Sequence, residues 1–239
     1  MKYTAAFICF ALGLGWAAIQ SNNIASVALF WAAVSCCVLA FAYGARRPRL
    51  VTGKKSNGKT SWFWTTVNLP WLLFTWATWW ILANTSREPA ISQISGTNIF
   101  ISRWPLLGGD LSKFEVIIDL AAELPRFYKF EGRYESLPNL DGVELVNSIP
   151  LNELNRDTAI LVHCAQGHGR SASFTALLLG RLGQSGSSEA AITSILLARP
   201  LAKMASCQLQ HVKSNFKLQA DHAALGGIAL SLVFGPHVG

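Results

Sequence analysis

The sequence predicts an α/β domain, a central sheet flanked by helices, preceded by an α-helical membrane hairpin and a Trp-rich membrane segment. Three observations carry this. From Ile91 onward, short apolar runs alternate with stretches of helical patterning, which indicates strands with helices packed on them. One of those runs, Ile160 to Val162, leads through His163 and Cys164 into a loop with two glycines that opens a helix. The first 83 of the 239 residues contain no Asp or Glu and seven basic residues, so the formal net charge of +7 lies wholly in that part. Positive charge placed between apolar runs speaks for a membrane surface and gives no reason to expect nucleic acid.

From the N-terminus, Tyr3 to Ile19 is uncharged and apolar. The polar break Gln20, Ser21, Asn22, Asn23 separates it from a second apolar run, Ile24 to Tyr43. Each approaches the roughly 20 residues that a helix needs to cross hydrocarbon, so residues 1–45 are expected to form a helical hairpin. A cleaved signal peptide is the rival reading of the first run. Gly15 and Ala17 make a poor cleavage site, and the second run follows too closely. Residues 46–61 carry six positive charges. A short basic loop of this kind is held on the cytoplasmic side and attracts anionic head groups.

Residues 62–83 are uncharged, hold six of the nine Trp, and include Asn68 and Pro70. A full crossing would place the following domain outside the cytoplasmic membrane; an interfacial or re-entrant path would keep it inside. Trp favours the interface, Pro disfavours an unbroken helix, and a reactive thiol suits a reducing compartment. The expectation is an integral protein of the inner or plasma membrane with a cytoplasmic catalytic domain, extracytoplasmic if 62–83 spans fully.

Residues 84–90 read as a polar linker and 91–219 as the catalytic domain. Strand-like runs fall at Asn98 to Ile101, at Phe114 to Leu120 and before Cys164. Helical patterning falls at Ala172 to Leu182, Ser187 to Ala198 and Met204 to Leu218. The tail, 220–239, contains Leu225 to Phe234, too short to span a bilayer. Cys9, Cys36, Cys37, Cys164 and Cys207 show neither paired nor metal-like spacing. No disulfide framework, metal or cofactor is expected, and Cys207 reads as a packed residue, with a redox partnership to Cys164 as the rival.

The chain is organised around residues 160–172. Gly167 and Gly169 allow backbone conformations closed to other residues, so the N–H groups of Ala165, Gln166, Gly167, His168 and Gly169 can converge on one point at a helix N-terminus. That point suits a phosphate. Arg170 adds a planar, permanently charged fork for two phosphate oxygens. Cys164 would lie beneath the phosphorus, where amide dipoles and a guanidinium favour the thiolate, which is the nucleophile. The bland alternative is a buried Cys in a helix-capping loop beside a solvated Arg.

His163, Cys164, Gly167, Arg170 and Ser171 together resemble the His-Cys, five residues, Arg, Ser/Thr signature of the cysteine-dependent protein tyrosine phosphatase superfamily, dual-specificity branch. Rhodanese-like and arsenate-reductase-like enzymes carry a Cys in a comparable anion loop. The phrases "NIFISRWPLL" and "FEVIIDLAAE", and the run with Tyr134, Leu137, Pro138 and Asp141, are similar to strands of dual-specificity phosphatases, so the resemblance covers about Ile91 to Leu218. It implies a dual-specificity-phosphatase-like sheet, a phosphocysteine intermediate, Asp141 as the general acid, Ser171 as a donor to the Cys164 sulfur, and His163 buried behind the loop. The departure is spacing: Asp141 precedes Cys164 by 23 residues, a short interval. Asp119 and Asp157 are poorer acid candidates. His168 would stand at the rim, paired with a second phosphate or head group when charged, or simply solvated. Implied substrates are phosphorylated proteins; the membrane hairpin, basic loop and His168 suggest a lipid phosphate such as phosphatidylglycerophosphate or a phosphoinositide, with membrane lipids as further partners. A catalytically inactive module that only binds phosphate is the non-enzymatic alternative.

Overall fold

A computed structural model describes residues 2–105, 110–145 and 154–216. Helices α1 (Lys2–Gln20) and α2 (Ile24–Gly44) form an antiparallel hairpin, with Gly44 returning beside Thr4 and the Ser26 hydroxyl donating to the Ala18 carbonyl. Both are long and apolar enough to cross a membrane, and Phe10, Leu12, Trp16, Ile19, Val27 and Phe30 are exposed along them. An exposed apolar belt on such helices fits lipid better than water.

A short helix α3 (Arg49–Thr52) follows, then α4 (Trp62–Val67) and α5 (Leu69–Thr85). The break between α4 and α5 has a local cause. Asn68 turns its amide back to the carbonyls of Leu50, Val51 and Trp64, and Pro70 stands in the first turn of α5, where its missing N–H costs nothing. Helix α5 does not stand apart from the C-terminal domain. Leu72 packs with Ala122 and Leu140, and Trp79 and Ala83 pack with Trp104, Ala121 and Leu124.

The domain itself is a five-stranded sheet in the order β1-β2-β5-β3-β4, formed by β1 (Ile91–Gln93), β2 (Ile99–Ser102), β3 (Val116–Ala121), β4 (Arg133–Asn139) and β5 (Ile160–His163). Only β1 pairs antiparallel; the rest are parallel. Every residue of β3 and β5 is buried, as continuous apolar strands covered on both faces should be. Helices α6 (Arg170–Arg181), α7 (Ser188–Ala198) and α8 (206–216) cover the sheet, with Phe174, Leu178, Ile195, Val212 and Phe216 in its main core. The three helical stretches and the strands β2, β3 and β5 lie where the sequence pattern places them; β1 is an addition. The short interval between Asp141 and Cys164 falls partly on residues 146–153, and the tail on 217–239, outside the described residues.

The basic loop departs from expectation at one residue. Lys54, read from the sequence as one of six charges facing head groups, is buried against the C-terminal domain. Its ammonium donates to Asp119 Oδ2 at 2.6 Å and to the carbonyls of Ala121 and Leu124 at 2.7 and 2.6 Å. The same loop is pinned by the Thr52 hydroxyl on the Ala122 carbonyl and by the Arg126 N–H on the Gly58 carbonyl. A buried cation persists only where a partner and full hydrogen bonding replace water, and the end of β3 supplies both.

Candidate active site

The carboxyl ends of β3, β4 and β5 meet the N-terminus of α6, the usual place for a ligand in a parallel sheet. Cys164 follows β5 directly and is 3% exposed. The loop Ala165–Gly169 then delivers Arg170 as the first residue of α6. Gly167 has φ +76°, and a side chain there would run into the Ser102 carbonyl. The loop is held from outside. The Ala165 carbonyl accepts from the Trp104 N–H at 3.0 Å and from the Trp79 indole at 2.8 Å, and the Gln166 carbonyl accepts from Arg199 at 3.1 Å. None of the five N–H groups from Ala165 to Gly169 donates to an acceptor among the described residues. Five donors without partners among the described residues, beside a Cys, are what an anion site requires.

Arg170 completes it. The guanidinium is 2% exposed and lies end-on against Glu123, Nη1 to Oε2 at 2.8 Å and Nη2 to Oε1 at 2.6 Å, while Nη1 also donates to the Asn139 carbonyl. Three of its five N–H donors are thereby used. The remaining pair, on Nε and Nη2, forms a second fork. Nε makes no hydrogen bond, although Asp141 Oδ1 lies 3.2 Å away as an ion-pair partner. Burial works against both charges of the Arg170–Glu123 pair, yet their attraction prevails, holding the guanidinium well above and the carboxyl below their ordinary pKa values.

The other sequence-predicted residues divide. Ser171 places Oγ 3.4 Å from Cys164 Sγ. Asp141 is largely exposed at the mouth, where a mobile acid would stand. His163 is wholly buried, with Nε2 2.9 Å from the Tyr128 hydroxyl and 3.7 Å from Asp119; burial pushes its pKa down against the pull of that carboxylate. His168 is not free at the rim: its Nε2 lies 2.7 Å from Glu88 Oε2. Glu88 also accepts from Arg199 and the Leu201 N–H, and these partners outweigh burial to lower its pKa. Asp119 is a structural partner of Lys54 and Tyr134, and Asp157 sits in the turn before β5.

Sequence reasoning missed Glu123, Arg199, Trp79 and Gln208. Glu123 had a signal, an acid at the end of a buried parallel strand. Trp79 was read as interfacial, and Arg199 ends α7 with nothing local to mark it. Gln208 is 1% exposed and lines the Cys164 cavity, and its Nε2 has no hydrogen-bond partner among the described residues. Among the described residues no cluster of His, Cys, Asp or Glu could hold a metal.

No protein-family model matches the chain, and no curated protein does. Solved structures similar to it are dual-specificity and tyrosine-type phosphatases. They include PTPMT1 in complex with PI(5)P (20% identity over 56% of this chain and 99% of that one, TM-score 0.45), Tk-PTP in the active form (21%, 54% and 97%, 0.42) and human DUSP28 (17%, 54% and 96%, 0.42).

Proposed function

We propose that the chain is a membrane-anchored, cysteine-dependent phosphomonoesterase of the dual-specificity type. The observation that carries this is the set of five loop N–H groups without an acceptor among the described residues, together with the Arg170 Nε–Nη2 edge that faces Asp141, beside the Cys164 sulfur. The Cys164 thiolate attacks phosphorus while the bond to the leaving oxygen breaks, and Asp141 supplies the proton which that oxygen needs. The cradle and fork hold the three equatorial oxygens as charge develops on them. Water then attacks the phosphocysteine, Asp141 takes its proton, the sulfur–phosphorus bond breaks, and the Ser171 hydroxyl stabilises the departing thiolate. The products are an alcohol and inorganic phosphate.

Anchoring rests on α1 and α2. Residues 46–61 and the catalytic domain lie on one side of the membrane, because Lys54 reaches Asp119 and α5 packs on the domain from Leu72 to Ala83. Packing of one face of α5 on the domain, with Leu73, Phe74, Trp80 and Ile81 exposed on the other, supports an interfacial path for this helix. The basic loop then makes that side cytoplasmic. The decisive experiment is turnover of a soluble aryl phosphate by purified full-length protein and by Cys164→Ser. Loss of turnover with retained vanadate binding is expected; turnover by Cys164→Ser would refute the mechanism.

A further inference from the structure

We infer that the cavity beside the phosphate cradle, walled by α1, α2 and α5, holds the apolar chain of the substrate, so that the substrate is a lipid phosphomonoester reached from the bilayer side; this rests on the site being the phosphatase site described above. Two cavities meet at the loop. One, of about 390 Å³, contains Cys164, His168, Gly169 and Gln208. The other, of about 320 Å³, lies on the side of the membrane helices. Tyr3, Asp141, Ala165, Gln166 and Arg170 line both, so a molecule with its phosphate in the first has its next atoms at the opening of the second.

The second cavity is built as an amphiphile would require. Its charged lining groups, Glu123, Asp141 and Arg170, all belong to the catalytic end. Away from that end the wall is Phe7, Tyr43, Trp71, Phe74 and Leu82, with the Thr75 and Thr78 hydroxyls between them. Phe7 packs edge-on against Trp71 and tilted against Tyr43, joining the three membrane-side helices into one wall. A phosphopeptide laid here would bring backbone N–H and C=O groups against carbon, and each such unpaired group is costly. An acyl or alkyl chain has no such groups. The volume, at the lower end of the roughly 300–1,000 Å³ common for ligand sites, suits one chain and not a folded segment.

The outer face points the same way. Phe74 is 70% exposed and Leu82 48%, and Leu73, Trp80 and Ile81 continue the apolar face of α5. Exposed aromatic and aliphatic side chains of this kind suit a rim at the lipid surface, where a substrate can slide in without leaving the bilayer.

The test uses full-length protein in detergent micelles. The substrates are a series of monoalkyl phosphates from butyl to dodecyl, a soluble aryl phosphate and a phosphotyrosine peptide. The expected result is a kcat/KM that rises about three- to fourfold per methylene until the cavity is filled. Thr78→Trp, which fills the cavity, and Phe74→Ala, which removes a wall that is mostly exposed and so does not threaten folding, should both flatten that rise. The readout is the ratio of decyl to butyl phosphate, which cancels any loss common to the two substrates. A flat chain-length profile, a slope unchanged in both variants, or a phosphopeptide preferred to every alkyl phosphate overturns the inference while leaving the phosphatase reading in place. Absence of turnover on every substrate, the aryl phosphate included, overturns the phosphatase reading instead.

Discussion

The ammonium of Lys54 lies 2.6 Å from the Asp119 carboxylate with both side chains wholly removed from solvent. One partner comes from the loop after the N-terminal helical hairpin and the other from the strand beside the one that leads to Cys164. Replacing Lys54 by Met leaves a buried, unpaired carboxylate, at a cost of about 3–5 kcal/mol. Adding Asp119→Asn should recover part of that loss. Urea unfolding in micelles, followed by Trp fluorescence, measures both; a Lys54→Met protein as stable as the parent would remove the pair from the account of stability.

Glu123 fixes the plane of the Arg170 guanidinium through two hydrogen bonds and leaves the other fork for phosphate. Glu123→Gln keeps the shape, loses the charge and one acceptor, and lets the guanidinium swing. Misplacement of this size lowers kcat by about 10²-fold. Steady-state kinetics on an aryl phosphate should show the loss mainly in kcat; an unchanged kcat would mean that Arg170 holds its orientation by other contacts.

Acid should weaken the fold in two stages. His163 has an ordinary value of 6.5 and a lower one in the folded protein, so below pH 6.5 the unfolded chain binds the proton and the folded chain resists it. Stability then falls by up to about 1.4 kcal/mol per pH unit until the folded His163 titrates. Asp119 and Glu123 are held below ordinary values of 3.8 and 4.5. Their contribution is present above those values and is lost only as the pH falls further. Between pH 6.5 and 4.5 the loss therefore belongs to His163, and His163→Gln should flatten the thermal midpoint there. A slope that survives the substitution would assign it elsewhere.

The membrane arrangement makes a labelling prediction. In a background free of accessible native cysteines, Lys55→Cys and Lys213→Cys should react with an impermeant maleimide from the same side of sealed vesicles. Ser21→Cys, in the turn between α1 and α2, should react only from the other. Labelling of positions 55 and 213 from opposite faces would mean that residues 62–85 cross the membrane.

The sheet and the loop from Cys164 to Arg170 were legible because their signals are local. A buried parallel strand is a continuous apolar run, and a Cys followed by two glycines and an Arg carries its chemistry within eight residues. The partners that fix the loop were not. Arg199 reaches the Gln166 carbonyl and Trp79 the Ala165 carbonyl from 33 and 86 positions away, and a single sequence contains no trace of such pairings. Lys54 misled for the same reason. Six charges between apolar runs look alike until the fold selects one of them for Asp119. His168 read as an open rim residue because Glu88, its partner, lies in a stretch that looks like a linker.

The hydrogen bond from the Trp79 indole to the Ala165 carbonyl has a practical corollary. A fragment trimmed at residue 91 for easy purification would discard the indole that braces the Cys164 loop, the lysine that pairs with the buried Asp119, and one side of the crevice beside the sulfur. What looks like a removable tether is part of the folded domain, so measurements made on such a fragment would describe a different object.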